Sequence, residues 1–127
     1  MSETKKILVV DDEEDIVQFL SVLLEDNGYE VVVARNGIEA LEKARADAPA
    51  LISLDITMPE QSGVKAYKEL RNDDDLKSIP IVIVTGYEDP NFEKFIKTRR
   101  TIEPPDAFFE KPIQKDEFLA KVKDLTG

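Results

Sequence analysis

Five residues of this chain have types and positions suited to chemistry. Asp11 and Asp12 follow the apolar run Ile7-Leu8-Val9-Val10, and Asp55 follows Leu51-Ile52-Ser53-Leu54. Thr85 follows Ile81-Val82-Ile83-Val84, and Lys111 comes shortly after Ala107-Phe108-Phe109. Three carboxylates brought together repel one another and raise at least one pKa unless a cation relieves them. With only oxygen donors available, the hard ion Mg²⁺ is favoured. A lysine and a hydroxyl across the same crevice would hold an anion beside the metal. Metal, anion clamp and a free carboxylate are the parts of a phosphoryl-transfer site, in which the carboxylate can itself be the nucleophile.

What the chain lacks narrows the chemistry further. There is no histidine and no cysteine, which excludes imidazole metal sites, Ser-His triads, thiol catalysis and disulfides. The formal charge is −10, so direct binding to nucleic acid or to an anionic membrane is not expected. The apolar runs are far shorter than the roughly 20 residues that span a bilayer. The start, MSETKK, has no apolar segment of the signal-peptide kind, which makes a cytoplasmic protein the expectation.

These residues need a scaffold that brings them together, and the pattern of the chain supplies one. Strand-like and helix-like segments alternate five times. After the first apolar run, Ile16, Phe19, Leu20, Leu23 and Leu24 mark an amphipathic helix, with Asn27-Gly28 as its stop. Val31-Val32-Val33 reads as a second strand. Asn36 with Glu39 three positions later opens a second helix through Leu41 and Ala44, and Pro49 ends that region. Strand three ends at Asp55, a loop covers residues 58–63, and Val64, Tyr67 and Leu70 mark a third helix. Strand four covers Ile79–Val84. Asp89-Pro90 opens a helix carrying Phe92, Phe95 and Ile96, which Pro104-Pro105 breaks. Ala107-Phe108-Phe109 is strand five, with one ring expected out and one in. Phe118, Leu119, Val122 and Leu125 belong to a last helix. Five such units in 127 residues predict one domain, a parallel sheet wrapped by helices on both faces, with the core at about 5–125. Sites in such sheets form beyond the carboxyl ends of the strands, where the five residues stand.

Taken singly, each residue has a plain structural alternative. Asp12 could cap the first helix, Asp55 could serve a turn, Thr85 could be a strand-end hydroxyl, and Lys111 a surface lysine. Asp73-Asp74-Asp75 lacks the further ligand spacing of a calcium loop and reads as a solvated acidic loop. Arg99-Arg100 reads as solvent-facing. Gly37, Gly63 and Gly86 are assigned to backbone conformation.

The segments ILVVDDEED, LISLDITMPEQSG, IPIVIVTG and FFEKPI occur in an order and at spacings that resemble the response-regulator receiver domain of two-component signalling. The resemblance covers essentially the whole chain. It implies a flavodoxin-like (βα)5 fold of strand order 2-1-3-4-5. It implies Asp55 as phosphoacceptor, taking a phosphoryl group from a sensor histidine kinase or a histidine phosphotransfer protein. It implies Mg²⁺, with Mn²⁺ as a substitute, held by Asp12 directly, by Asp11 through water, by Asp55 and by the Thr57 carbonyl. Lys111 matches the phosphate-pairing lysine, Thr85 the switch hydroxyl, Gly86 a backbone N–H donor to the phosphoryl group, and Phe108 the aromatic switch. The Lys111-Pro112 bond is expected to be cis. Output is expected through protein–protein contacts of the face formed by the fourth helix, fifth strand and fifth helix. The chain is read as a stand-alone regulator or a phosphorelay intermediate, and dimerisation on phosphorylation stays open. Thr85 and Lys111 stand 26 positions apart, more than expected of the family, and Glu103-Pro104-Pro105-Asp106 replaces the usual small-residue turn. An unphosphorylated interaction module, which would typically lack an acid, the acceptor or the lysine, and an aspartate-nucleophile phosphatase are the alternatives. Such enzymes carry a second acid two residues after the nucleophile, where this chain has Thr57. Self-phosphotransfer and autodephosphorylation are therefore the only reactions expected.

Overall fold

The computed structural model describes residues 4–59, 62–86 and 105–127. The helix expected after Asp89, with Tyr87, Phe92, Phe95, Ile96 and Arg99-Arg100, lies outside the described residues, as do Glu60 and Gln61.

Five parallel strands form one sheet: β1 (Lys6–Val10), β2 (Glu30–Ala34), β3 (Leu51–Asp55), β4 (Ile81–Thr85) and β5 (Ala107–Glu110). Their order is β2-β1-β3-β4-β5, as the resemblance implied. Four described helices accompany them: α1 (Glu14–Glu25), α2 (Gly37–Asp47), α3 (Ser62–Asn72) and α4 (Lys115–Thr126). The three central strands are buried along nearly their whole length, which is why they read as unbroken apolar runs.

Side chains alternate across the sheet, so each strand feeds two cores. Leu8, Val10, Ile52, Leu54, Ile81 and Ile83 meet Ala40 and Ala44 of α2 and Val64, Tyr67 and Leu70 of α3. Ile7, Val9, Leu51, Val82 and Val84 meet Leu20 and Leu24 of α1 and Phe118 and Val122 of α4. Phe108 and Phe109 follow the same alternation, but the expectation of one ring out is corrected. Phe108 packs on the first core and Phe109 on the second, because β5 has a helix-bearing core on each side. The Phe109 and Phe118 rings meet edge to face at 5.2 Å.

The helix details agree with the sequence reading in part. The buried line of α1 is Val17, Leu20 and Leu24, and Phe19 faces solvent. Helix α1 stops before Asn27-Gly28, with Gly28 at φ +90° and the Tyr29 N–H on the Leu24 carbonyl. Asn36 caps α2 as expected, its side chain accepting from the Glu39 N–H at 2.9 Å. The Glu39 carboxylate accepts in return from the Arg35 N–H. Helix α3 begins within the expected loop, and Gly63 is required for space. A Cβ there would lie 2.2 Å from the Asp55 carbonyl oxygen. Asp73 is no merely solvated acid: it pairs with Arg45 at 2.9 Å and accepts from the Asp75 N–H, closing the turn after α3.

At the amino end of the sheet, a group of contacts fixes the start of β5. Arg71 is almost fully buried and meets Asp106 at 3.0 Å. Its guanidinium also donates to the carbonyls of Lys77 and Ile79 and to the hydroxyl of the buried Tyr67. Asp106 Oδ2 accepts from the Ile81 N–H at 2.8 Å. The unusual turn before β5 therefore ends in an acid tied to both α3 and β4. Among the described residues, no helix is long and apolar enough to cross a membrane.

Candidate functional site

The carboxyl ends of β1 and β3 lie side by side, because β3 pairs directly with β1. That adjacency brings Asp11 and Asp55 together from positions 44 residues apart. Both are buried, with 1% of their surface exposed. Asp12 and Glu13 are exposed at the rim. One carboxylate oxygen from each of Asp11, Asp12, Glu13 and Asp55 lies within 4.8 Å of the others.

The two buried acids are held differently. Asp55 Oδ1 accepts from the Thr57 N–H at 2.8 Å and from the Thr57 hydroxyl. Its other oxygen, Oδ2, is buried and has no hydrogen-bond partner among the described residues. Lys111 Nζ approaches that oxygen at 3.5 Å. Asp11 Oδ1 accepts from the Glu13 N–H at 2.9 Å, and Asp11 Oδ2 stands 3.4 Å from Lys111 Nζ. Burial, then the charge of Asp55, push Asp11 up to about 7.

Lys111 reaches the site because β5 extends the sheet beside β4. Its N–H donates to the Thr85 carbonyl at 2.8 Å, and the Lys111-Pro112 bond is cis as expected. The ammonium has a third acidic neighbour, Glu13 Oε1, at 2.7 Å. Burial works to lower the lysine pKa. The hydrogen bond to Glu13 and the charges of Asp55 and Asp11 outweigh it, so the group holds its proton more tightly than usual.

Thr85 is fully buried at the end of β4, its hydroxyl donating to the Gly86 carbonyl at 3.3 Å. A Cβ on Gly86 would touch the Thr57 methyl at 3.8 Å, so Gly86 sits beside the Asp55 loop. Phe108, three positions before Lys111, is partly buried against the α2–α3 core. The structure thus brings Asp11, Asp12, Asp55, Thr57 and Lys111 into one crevice, with Thr85 and Gly86 on the strand alongside. Sequence reasoning missed Glu13 and the side chain of Thr57. The signal for Glu13 was present in five consecutive acids, Asp11 to Asp15, at a strand-to-helix junction.

The donor set suits a hard divalent cation. It comprises clustered carboxylates, one buried oxygen without a hydrogen bond among the described residues, and an acid raised toward neutrality by burial and by the charge of Asp55.

Comparison with known proteins agrees with this geometry. Residues 7–123 match the response regulator receiver domain family. The chain is 36% identical over 123 residues to the polar-differentiation response regulator DivK of Brucella anthropi, covering 97% of each. Among solved structures, the chemotaxis response regulator CheY4 of Vibrio cholerae superposes with a TM-score of 0.81 at 30% identity, covering 97% of this chain and 99% of that one. The signal receiver domain of a signal transduction histidine kinase from Syntrophus aciditrophicus gives 0.84 at 30% identity, covering 97% and 90%. Sequence and architecture converge, and the chain belongs to the response regulator receiver domain family, whose business is phosphorylation-dependent signalling in two-component systems.

Proposed function

We propose that Asp55 is the phosphoacceptor of this domain and that residues 1–127 act as a single receiver unit. The carrying observation is the pair of unlike oxygens on Asp55. Thr57 occupies Oδ1, while Oδ2 is buried, without a hydrogen bond among the described residues, and faced by Lys111. An oxygen so placed is available to form a bond to phosphorus.

The donor is a phosphohistidine on a kinase or phosphotransfer protein, since this chain has no histidine of its own. The Asp55 oxygen bonds to phosphorus as the phosphorus–nitrogen bond breaks. The imidazole nitrogen leaves with that electron pair. Lys111 stays protonated and pairs with the transferred oxygens, and the Thr85 hydroxyl and Gly86 N–H turn toward them. Asp11, Asp12, Asp55 and the Thr57 carbonyl would hold Mg²⁺ or Mn²⁺. When bound, the ion neutralises charge on the transferring group. Water later attacks phosphorus as the bond from phosphorus to the Asp55 oxygen breaks, which restores the carboxylate and releases inorganic phosphate, and no other substrate is turned over.

The added charge of about −1.5 to −2 is read through Thr85 and Phe108. Output passes by protein–protein contact through the surface around β5 and α4, and not through nucleic acid or membrane. A cytoplasmic protein of net charge −10 suits that role. A phosphorelay intermediate would use the same chemistry.

Phosphotransfer profiling against a panel of histidine kinases, with Asp55→Asn as blank, tests the reading. One phosphoryl group is expected on wild-type Asp55, only with Mg²⁺ or Mn²⁺ present, and none on the variant. Equal labelling of Asp55→Asn would refute it.

A further inference from the structure

Glu13 occupies the position that caps α1, with extended backbone at φ −92° and ψ 118°. A short polar side chain there would accept from the first free N–H groups of the helix. Glu13 makes no such bond. Its Oε1 goes to Lys111 Nζ at 2.7 Å, nearer than Asp11 at 3.4 Å or Asp55 at 3.5 Å. The ammonium thus sits against the one carboxylate of the three that is largely exposed, at 58%. The main chain of Lys111 is fixed by its bond to the Thr85 carbonyl, so the side chain provides the freedom to move.

We propose that Glu13 is a positioning residue that latches Lys111 in the unphosphorylated protein, so that aspartyl phosphate forms only as the ammonium exchanges Glu13 for phosphoryl oxygens. The inference rests on the Asp55 reading above. A contact made in the resting state and given up in the reaction raises the barrier. Because Glu13 is exposed and screened by solvent, the latch is weak enough for an incoming phosphoryl group to displace it. Asp11 and Asp55, both buried, remain beside the ammonium throughout.

Two substitutions separate the latch from its rivals. Glu13→Asp keeps the charge but is one methylene too short for Lys111, and its carboxylate suits the helix N–H groups, so the fold is retained. Glu13→Gln removes the charge. Nitrogen-resolved NMR of the Lys111 ammonium in metal-free protein reads the contact directly. Acetyl phosphate with Mg²⁺, followed by mass spectrometry, reads the rate: the Asp55 oxygen bonds to phosphorus and acetate leaves with the electron pair of the broken phosphorus–oxygen bond.

The expected result is an ammonium signal that exchanges with solvent faster in both variants than in wild type. Labelling should be faster by about two- to five-fold in both, the range set by an exposed ion pair. Faster labelling in Glu13→Gln with a wild-type rate in Glu13→Asp would assign the effect to charge repulsion and overturn the latch. Slower labelling with weakened Mg²⁺ binding in both variants would make Glu13 a metal ligand and overturn it also. Wild type labelled on Asp55, with variants unchanged in rate and ammonium signal, ends the latch alone. Wild type without any label ends the Asp55 reading and the latch together.

Discussion

Asp11 and Asp55 are two buried acids at the ends of adjacent strands, with different hydrogen-bond partners. Thr57 gives Asp55 Oδ1 both a backbone and a hydroxyl donor, while Asp11 Oδ1 has the Glu13 N–H. Burial and the neighbouring charge push Asp11 from 3.8 up to about 7. Its folded value thus lies above its unfolded one, so the folded protein keeps a proton that the unfolded chain releases. In metal-free protein this group's contribution to stability is present below about pH 4 and is lost as pH rises through about 7. Urea unfolding in EDTA should show wild type losing more stability between pH 5 and pH 8 than Asp11→Asn does. Adding Mg²⁺ at pH 8 should restore part of the wild-type loss. Parallel pH profiles for the two proteins would contradict the assignment.

Among the elements, the amino end of β5 is held most elaborately. Arg71 joins Asp106, Tyr67 and the carbonyls of Lys77 and Ile79, and Asp106 also anchors Ile81. Removing the acid leaves a buried guanidinium with its carbonyl and hydroxyl partners but without a countercharge, whereas removing the guanidinium leaves an acid that is a third exposed and still bonded to Ile81. Asp106→Ala should therefore cost roughly 2–4 kcal/mol. Arg71→Met, which keeps bulk and leaves no buried charge, should cost about 1 kcal/mol. Chemical denaturation of both variants checks the order, and a larger loss for Arg71→Met would show that arginine packing outweighs the ion pair. None of this was legible in the sequence, where Asp106 stood only as the end of an atypical turn. Helix α1 teaches a similar lesson. Periodicity alone put Phe19 on the apolar stripe and passed over Val17, and the direction in which the helix meets the sheet chose Val17.

For the molecule as a whole, two cores share one sheet, and Phe118 joins the second core to β5. It is fully buried and packs edge to face on Phe109. Phe118→Ala should lower unfolding free energy by about 3–5 kcal/mol, read by urea titration. A loss under about 1 kcal/mol would mean that α4 can collapse into the space. The parallel topology also sets where chemistry occurs. Every strand points the same way, so every strand-to-helix junction that bears a candidate residue opens at one end of the sheet.

Unbroken β-branched runs, helical periodicity and a polar residue at each strand end were enough to specify a doubly wound parallel sheet and its reactive edge, because burial on both faces leaves no other pattern. The residue types alone restricted the chemistry to carboxylate, hydroxyl, lysine, arginine and backbone groups. Contacts between distant segments were left to the tertiary structure. Spacing along a chain carries no information about which exposed acid a lysine will choose, nor where a helix will press so close that only a glycine fits. Lys111 on Glu13, the Asp55 oxygen that Lys111 faces and the packing of Gly63 against the Asp55 carbonyl were decided by the pairing of β1 with β3 and of β4 with β5.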